Sequence, residues 1–123
     1  MPKKILVIDD DEGILAAFEA MLTGEGYSVE TSSTVYPLLS LTKDNTPDLV
    51  LLDVLLSGAD GRDICKQLKH QSFTKHIPII MVSAALNMEK SVMESSADDF
   101  ITKPFEINDL LDKVKKYIIT VAE

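Results

Sequence analysis

Acidic side chains follow the first apolar segment of the chain. The stretch "LVIDDDEG" places Asp9, Asp10, Asp11 and Glu12 directly after an aliphatic run. Like charges this close together raise carboxylate pKa values or cost stability. A divalent cation turns that repulsion into shared attraction, and carboxylate oxygens with open water positions suit Mg²⁺ rather than zinc or copper. The pair Asp9 and Asp10 is therefore a candidate Mg²⁺ site.

Three further apolar segments end in side chains that can take part in chemistry. These are the carboxylate of Asp53, the hydroxyl of Ser83 and the ammonium group of Lys103. A bound dication beside a lysine and a hydroxyl can neutralise the oxygens of a phosphoryl group. The sequence contains no glycine-rich phosphate loop, so the acceptor of that group would be a residue of the chain itself. A carboxylate that forms an acyl phosphate is one such nucleophile.

Each of these residue types also has a purely structural interpretation. Asp11 and Glu12 suit the cap and first turn of a helix, and Ser83 suits a cap or a turn. His70 and His76 precede the apolar segment that Ser83 closes, so we expect them in a loop at the opposite end of the sheet. The functional interpretation depends on the set of strand-end residues taken together.

Short apolar segments predict the strands that position these side chains. Continuous runs at 5–8, 49–52 and 79–82 are rich in β-branched residues and too short for helices. Such runs are typical of strands buried on both faces of a parallel sheet. Tyr27–Thr31 and Asp99–Thr102 are shorter candidates.

Five segments with helical spacing of apolar residues alternate with the strands. Glycines 24 and 26 are candidate C-caps of the first helix. The alternation predicts a doubly wound α/β domain, whose ligands bind beyond the carboxyl ends of the strands. The apolar helix positions are Ile14, Leu15, Phe18 and Leu22; Val35, Leu38, Leu39 and Thr42; Ile64, Cys65 and Leu68; Met88, Val92 and Met93; and Ile107, Leu110, Leu111, Val114 and Ile118.

Composition limits the classes of function. The 123 residues fit one domain, and the net charge of −8 disfavours nucleic acid or an anionic membrane as the main partner. The single cysteine, Cys65, favours a reducing compartment and a buried packing role. The apolar runs fall short of the about 18 residues of a membrane span, and "MPKKILVIDD" does not resemble a signal peptide. We therefore expect a cytoplasmic protein.

Four motifs together resemble the receiver domain of two-component response regulators. They read "ILVIDDDEGIL", "PDLVLLDVLLSGADGRDICKQLK", "HIPIIMVSA" and "ADDFITKPF", and the resemblance extends over essentially the whole chain. It implies a flavodoxin-like fold with five parallel strands in the order 2-1-3-4-5 and five helices. It also implies that residues 1–123 form one receiver domain, a signalling module rather than an enzyme.

The resemblance implies a role for each residue of the predicted site. Asp53 matches the aspartate that accepts a phosphoryl group from the phosphohistidine of a sensor histidine kinase or a phosphotransfer protein. Asp9 and Asp10 match the acidic pair that holds Mg²⁺, with Asp10 the direct ligand and Asp9 acting through water. The backbone carbonyl of Leu55 matches the third protein ligand of the metal.

The resemblance also implies a switch. Ser83 matches the hydroxyl that turns toward the phosphate, and Lys103 matches the lysine that pairs with it. Phe100 matches the aromatic residue whose inward swing reports phosphorylation, and the Lys103–Pro104 bond is expected to be cis. The face built by the fourth helix, the fifth strand and the fifth helix would then repack for an output partner.

The chain departs from the family pattern at several positions. Ser57 replaces a proline four positions after the acceptor, Ser96 replaces a glycine, and the interval from Ser83 to Lys103 is a couple of residues short. Leu55 and Ala85 cannot hold an attacking water, which predicts a slowly hydrolysing phosphoaspartate.

Two alternatives and one question about the chain stay open at this point. A Mg²⁺-dependent phosphohydrolase needs a second acid two residues after the nucleophile, where this chain has Leu55. A receiver used only for docking would not need the full set of site residues. No DNA-binding segment follows Val121–Glu123, so we expect either a stand-alone protein or a piece of a longer regulator or hybrid kinase, with an output partner protein or a further domain.

Overall fold

The computed structural model describes residues 2–84 and 87–118. Ala85 and Val121–Glu123, which entered the predictions above, lie outside the described residues. Five strands form one parallel sheet, and five helices alternate with them in this part of the chain. The strands are β1 (Lys4–Ile8), β2 (Ser28–Ser32), β3 (Leu49–Asp53), β4 (Ile79–Ser83) and β5 (Asp99–Thr102); the helices are α1 (Glu12–Gly24), α2 (Tyr36–Leu39), α3 (Gly61–Lys69), α4 (Glu89–Glu94) and α5 (Ile107–Tyr117).

The sheet has the order β2-β1-β3-β4-β5, which confirms the predicted doubly wound topology. The chain first moves from β1 outward to β2 and then crosses back to β3, so the strand order reverses between β1 and β3. Their register pairs Ile8 with Leu52, which leaves Asp9 and Asp53 side by side at the carboxyl ends of these two strands. The topology therefore creates a crevice beside the acids.

Two apolar clusters, one on each face of the sheet, form the core. On β1, Leu6 and Ile8 belong to the cluster that contains residues of α2, α3 and α4. The alternate residues Ile5 and Val7 belong to the cluster that contains residues of α1 and α5. Because both faces are covered, the strands read as continuous apolar runs in the sequence. Cys65 is fully buried in the first cluster, as predicted.

The structure corrects two predicted boundaries. Strand β2 begins at Ser28 rather than Tyr27, because the backbone N–H of Tyr27 donates to the carbonyl of Leu22 in the turn that closes α1. The same turn uses Gly26 at φ +94°, a conformation that glycine adopts without steric cost. Thr42 was expected in α2 but lies beyond the end of this helix, in a bridge with Asn45.

A short hairpin follows β3 and was not predicted. Leu55–Leu56 pairs antiparallel with Ala59–Asp60, and Ser57 and Gly58 form the turn between them. Gly58 has φ +79°, as a type II turn requires at its second central position. The Ser-Gly pair was the available sequence signal for this hairpin.

Helix α4 is short, in agreement with the short interval between β4 and β5. It spans six residues and is followed by Ser96 at φ +71°. This is the position where the family pattern has glycine, which is the residue that tolerates this conformation best. In residues 2–84 and 87–118, no helix is both long and apolar enough to cross a membrane.

Candidate functional site at the carboxyl end of the sheet

Three carboxylates converge at the reversal of strand order. One oxygen each from Asp9, Asp10 and Asp53, here called the acidic cluster, lies within 4.8 Å of the other two. Asp9 and Asp53 are buried, while Asp10 is exposed. The sequence predicted this convergence, because the acids follow the neighbouring strands β1 and β3.

The environment of Asp53 disfavours its charged form. The residue is only 7% exposed. The pKa of its carboxyl is raised to about 6, with burial as the largest cause. The negative charge of Asp9, and to a smaller extent that of Asp10, contributes to this rise, while Lys103 and a backbone hydrogen bond from Leu55 oppose it. A cation bound at the cluster would favour the ionised form, because it adds positive charge beside the carboxylate.

Lys103 brings a positive charge to the cluster from the end of β5. Its Nζ donates to Oδ2 of Asp9 at 2.7 Å and lies 3.7 Å from Oδ2 of Asp53. The backbone N–H of Lys103 donates to the carbonyl of Ser83 at 2.8 Å, which fixes the start of the following loop against β4. The Lys103–Pro104 peptide bond is cis.

The two oxygens of Asp9 both accept hydrogen bonds. Oδ2 accepts from Lys103, and Oδ1 accepts from the backbone N–H of Asp11 at 2.9 Å. Asp11 itself caps α1, since its Oδ1 accepts from the backbone N–H of Ile14 at 3.1 Å. Glu12 lies in the first turn of the helix. The prediction that Asp11 and Glu12 belong to the start of the first helix is therefore confirmed.

Of the remaining predicted residues, Ser83 and Leu55 lie at the same edge as the acidic cluster. Ser83 ends β4, is 1% exposed and pairs in register with Thr102 of β5. Leu55 begins the hairpin two residues beyond Asp53, and its side chain is half exposed. Phe100 lies on β5, partly buried against the cluster that contains α4. His70 follows α3, away from the strand ends, as expected for a loop residue.

Two residues beside the site were not assigned a role from the sequence. Gly61 begins α3, and a Cβ atom there would lie 2.2 Å from the backbone oxygen of Asp53. Ser57 donates to Oδ2 of Asp10 from its backbone N–H at 3.2 Å and from its hydroxyl at 3.1 Å. The proline-to-serine departure at position 57 was visible in the sequence, but its acceptor was not.

The chemistry of the donor set fits a hard divalent cation. The acidic cluster supplies carboxylate oxygens, which magnesium and calcium prefer over the nitrogen and sulfur ligands typical of zinc. The exposure of Asp10 leaves one side of the cluster open to water, and Mg²⁺ usually keeps several waters. The cluster is thus able to bind a metal ion.

The fold is flavodoxin-like, and an acidic cluster and a lysine lie where its strand order reverses. This combination is typical of one class of signalling protein. The chain belongs to the response regulator receiver domains of two-component systems, whose family model matches residues 5–115. This assignment agrees with the resemblance that the four motifs carried.

Individual relatives place the chain within that family. It is 38% identical to response regulator PleD of Caulobacter vibrioides over 108 residues, which cover 86% of this chain and 24% of PleD. It is 39% identical to the alkaline phosphatase synthesis transcriptional regulatory protein PhoP of Bacillus subtilis over 117 residues, 94% of this chain and 48% of PhoP. The chain thus spans less than half the length of these two relatives.

Solved structures agree with the fold. A crystal structure described as a response regulator from Chloroflexus aurantiacus superposes with a TM-score of 0.90 at 32% identity, covering 98% of this chain and 100% of that one. A CheY-like receiver domain protein from Methanospirillum hungatei gives a TM-score of 0.85 at 29% identity, covering 96% of this chain and 94% of that one.

Proposed function

We propose that residues 1–123 form one receiver domain that accepts a phosphoryl group on Asp53. The donor would be the phosphohistidine of a sensor histidine kinase or a phosphotransfer protein. The observation that carries this proposal is the environment of Asp53. Its Oδ2 lies 3.7 Å from Nζ of Lys103, and its carboxylate belongs to the acidic cluster. The only reaction of the domain would be its own phosphorylation and dephosphorylation, so it would act as a switch and not as an enzyme on other substrates.

In the proposed reaction, a carboxylate oxygen of Asp53 attacks phosphorus in line with the bond to the histidine nitrogen. The oxygen–phosphorus bond forms, the phosphorus–nitrogen bond breaks, and the ring nitrogen keeps the electron pair. Lys103 stabilises the negative charge of the phosphoryl oxygens, since its ammonium group already lies between Asp9 and Asp53. The hydroxyl of Ser83 would turn toward the same oxygens.

Asp10, Asp53 and the backbone carbonyl of Leu55 are the proposed direct ligands of Mg²⁺. Asp9 would act through water, because hydrogen bonds from Asp11 and Lys103 already engage both of its oxygens. When bound, the cation supplies positive charge that favours ionised Asp53 and neutralises phosphoryl oxygens.

The proposed output surface consists of α4, β5 and α5. Lys113 of α5 donates to Asp99 at 3.0 Å, and the hydroxyl of Tyr117 donates to the carbonyl of Asp98 at 2.9 Å, so α5 is fastened to β5. Phosphorylation would draw Ser83 and Lys103 toward the phosphate and swing Phe100 inward. The reader of this face would be a partner protein or a further domain, in the cytoplasm, without direct binding of this domain to nucleic acid or a membrane.

Phosphorylation at Asp53 can be tested directly. The protein is treated with a small phosphodonor and Mg²⁺, and the added mass is located by mass spectrometry in wild type and in Asp53→Asn. We expect one phosphoryl group on the wild type and none on the variant, with Asp44→Asn as the control for loss of an exposed carboxylate. A wild type that acquires no phosphoryl group at Asp53 would contradict the proposal.

The phosphoaspartate is predicted to hydrolyse slowly. Leu55 presents an aliphatic side chain beside Asp53 and cannot orient an attacking water. The decay of phosphorylated protein after removal of the donor measures the lifetime, and Leu55→Asn should shorten it. A wild-type lifetime of seconds would contradict this prediction.

A further inference from the structure

Ser57 holds Asp10, the exposed member of the acidic cluster, by hydrogen bonds. Two donors of Ser57, the backbone N–H at 3.2 Å and the hydroxyl at 3.1 Å, converge on the same oxygen of Asp10, Oδ2. These bonds span 47 positions of sequence and connect the hairpin after β3 with the loop after β1. They therefore fix the carboxylate relative to both neighbouring strands.

The other two acids do not need such a support. Asp9 and Asp53 are buried, so packing restricts their side chains, while Asp10 is exposed. An exposed carboxylate without a partner would move among rotamers and would lose that freedom when it binds a cation. Both donors of Ser57 engage Oδ2, so neither occupies the other carboxylate oxygen of Asp10, Oδ1.

Proline at position 57 could supply neither donor. Proline has no backbone N–H and no hydroxyl. It would nevertheless suit this turn, because the first central position of a type II turn favours proline. Gly58 at φ +79° occupies the second central position. Serine in this place thus adds hydrogen bonds to Asp10 without being required for the turn.

We propose that Ser57 is a positioning residue that orients Asp10 for a divalent cation and thereby tightens Mg²⁺ binding. This inference rests on the proposed function, because it assigns Asp10 to the metal. Groups that hold metal ligands from the second layer typically contribute 10- to 100-fold to metal affinity. Because the contact with Asp10 is exposed to water, we expect an effect at or below the lower end of this range.

Mg²⁺ titration by isothermal calorimetry tests the inference without any phosphorylation step. Ser57→Ala, which keeps the backbone donor, should raise the Mg²⁺ Kd about 3- to 10-fold, and Ser57→Pro, which removes both donors, should raise it at least as much. Ser57→Thr keeps both donors and should restore a Kd near that of wild type. Ser28→Ala, at an exposed serine on β2, is the matched control and should leave the Kd unchanged.

The outcomes separate this inference from the proposed function. If wild type binds Mg²⁺ and is phosphorylated on Asp53, but Ser57→Ala binds Mg²⁺ as tightly or more tightly, the role of Ser57 is refuted and the function stands. If wild type neither binds Mg²⁺ nor accepts a phosphoryl group, both are refuted. Urea unfolding in EDTA completes the test, because a purely structural role of Ser57 would lower stability and leave the Kd unchanged.

Discussion

Asp53 combines two properties that oppose each other at neutral pH. Its burial disfavours a charge, while its proposed role as a nucleophile needs one. Lys103 reduces this conflict only in part, because its shorter contact is with Asp9, at 2.7 Å against 3.7 Å to Asp53. Without a bound cation, the ionised acidic cluster should therefore destabilise the fold.

Replacing Asp53 with Asn should make the destabilisation caused by its ionised carboxylate measurable. The pKa of Asp53 is about 6 in the folded protein and 3.8 in an unperturbed carboxyl, so the folded state holds the proton more tightly. Below about pH 4 the group is protonated in both states, and as pH rises through about 6 its ionisation lowers the free energy of unfolding. In EDTA at pH 7, Asp53→Asn should be more stable than wild type by about 1–3 kcal/mol.

Urea unfolding between pH 4 and pH 8 measures this difference. The gap between the variant and wild type should be small at pH 4 and should grow through pH 6. Asp44→Asn, which removes an exposed carboxylate from a loop, is the control for loss of one negative charge. A flat gap for Asp53→Asn, or one that shrinks with rising pH, would contradict the prediction.

At the scale of elements, the hairpin and the start of α3 shape the crevice beside Asp53. The backbone N–H of Gly61 donates to the carbonyl of Val54 at 2.7 Å, so α3 begins directly against the end of β3. Asp60 caps the helix by accepting from the N–H of Arg62 at 2.9 Å, and Arg62 donates to Ser91 of α4 at 3.0 Å. The segment that follows Asp53 is thereby linked to the proposed output surface.

Gly61→Ala should destabilise the protein. Its Cβ would lie 2.2 Å from the backbone oxygen of Asp53, and a strand carbonyl cannot move aside as a flexible side chain can. We expect a loss of about 1–3 kcal/mol in the free energy of unfolding, measured in urea. Gly24→Ala is the control, because nothing lies within 4 Å of its Cβ position and alanine favours the helix. Equal free energies of unfolding for the two variants would contradict the prediction, because they would show that the backbone accommodates the added Cβ at position 61 without loss of stability.

At the scale of the whole molecule, a cation that binds only the folded state should stabilise the entire domain. The chain carries a net charge of −8, and part of it is concentrated in the acidic cluster. At a Mg²⁺ concentration about 100 times the Kd, linkage predicts a gain of about 2.7 kcal/mol. Thermal unfolding with Mg²⁺, compared with NaCl of equal ionic strength, separates binding from general screening.

Asp10→Asn should abolish most of the stabilisation by Mg²⁺, whereas Asp44→Asn should retain it. Both variants remove one exposed carboxylate, so they change the net charge equally. If Mg²⁺ stabilises all three proteins to the same extent, the cation is not bound at the acidic cluster.

The sequence by itself determined the strands of the sheet and the strand ends at which Asp53, Ser83 and Lys103 lie. The order of the strands followed from the family resemblance. Buried parallel strands leave continuous apolar runs, and strand-end residues must share one edge, so these features are local or topological. The same logic placed Asp11 and Glu12 at the start of α1, because capping depends on neighbouring residues, and Asp11 is the residue that caps this helix.

Only the tertiary structure decided the contacts between segments that are distant in sequence. The bonds from Ser57 to Asp10 cross 47 positions, and the close approach of Gly61 depends on how α3 meets the end of β3. The truncation of α2 before Thr42 and the late start of β2 also belong here. Neither periodicity nor residue type specifies such distances, because they arise from the packing of elements whose relative placement the linear pattern leaves open.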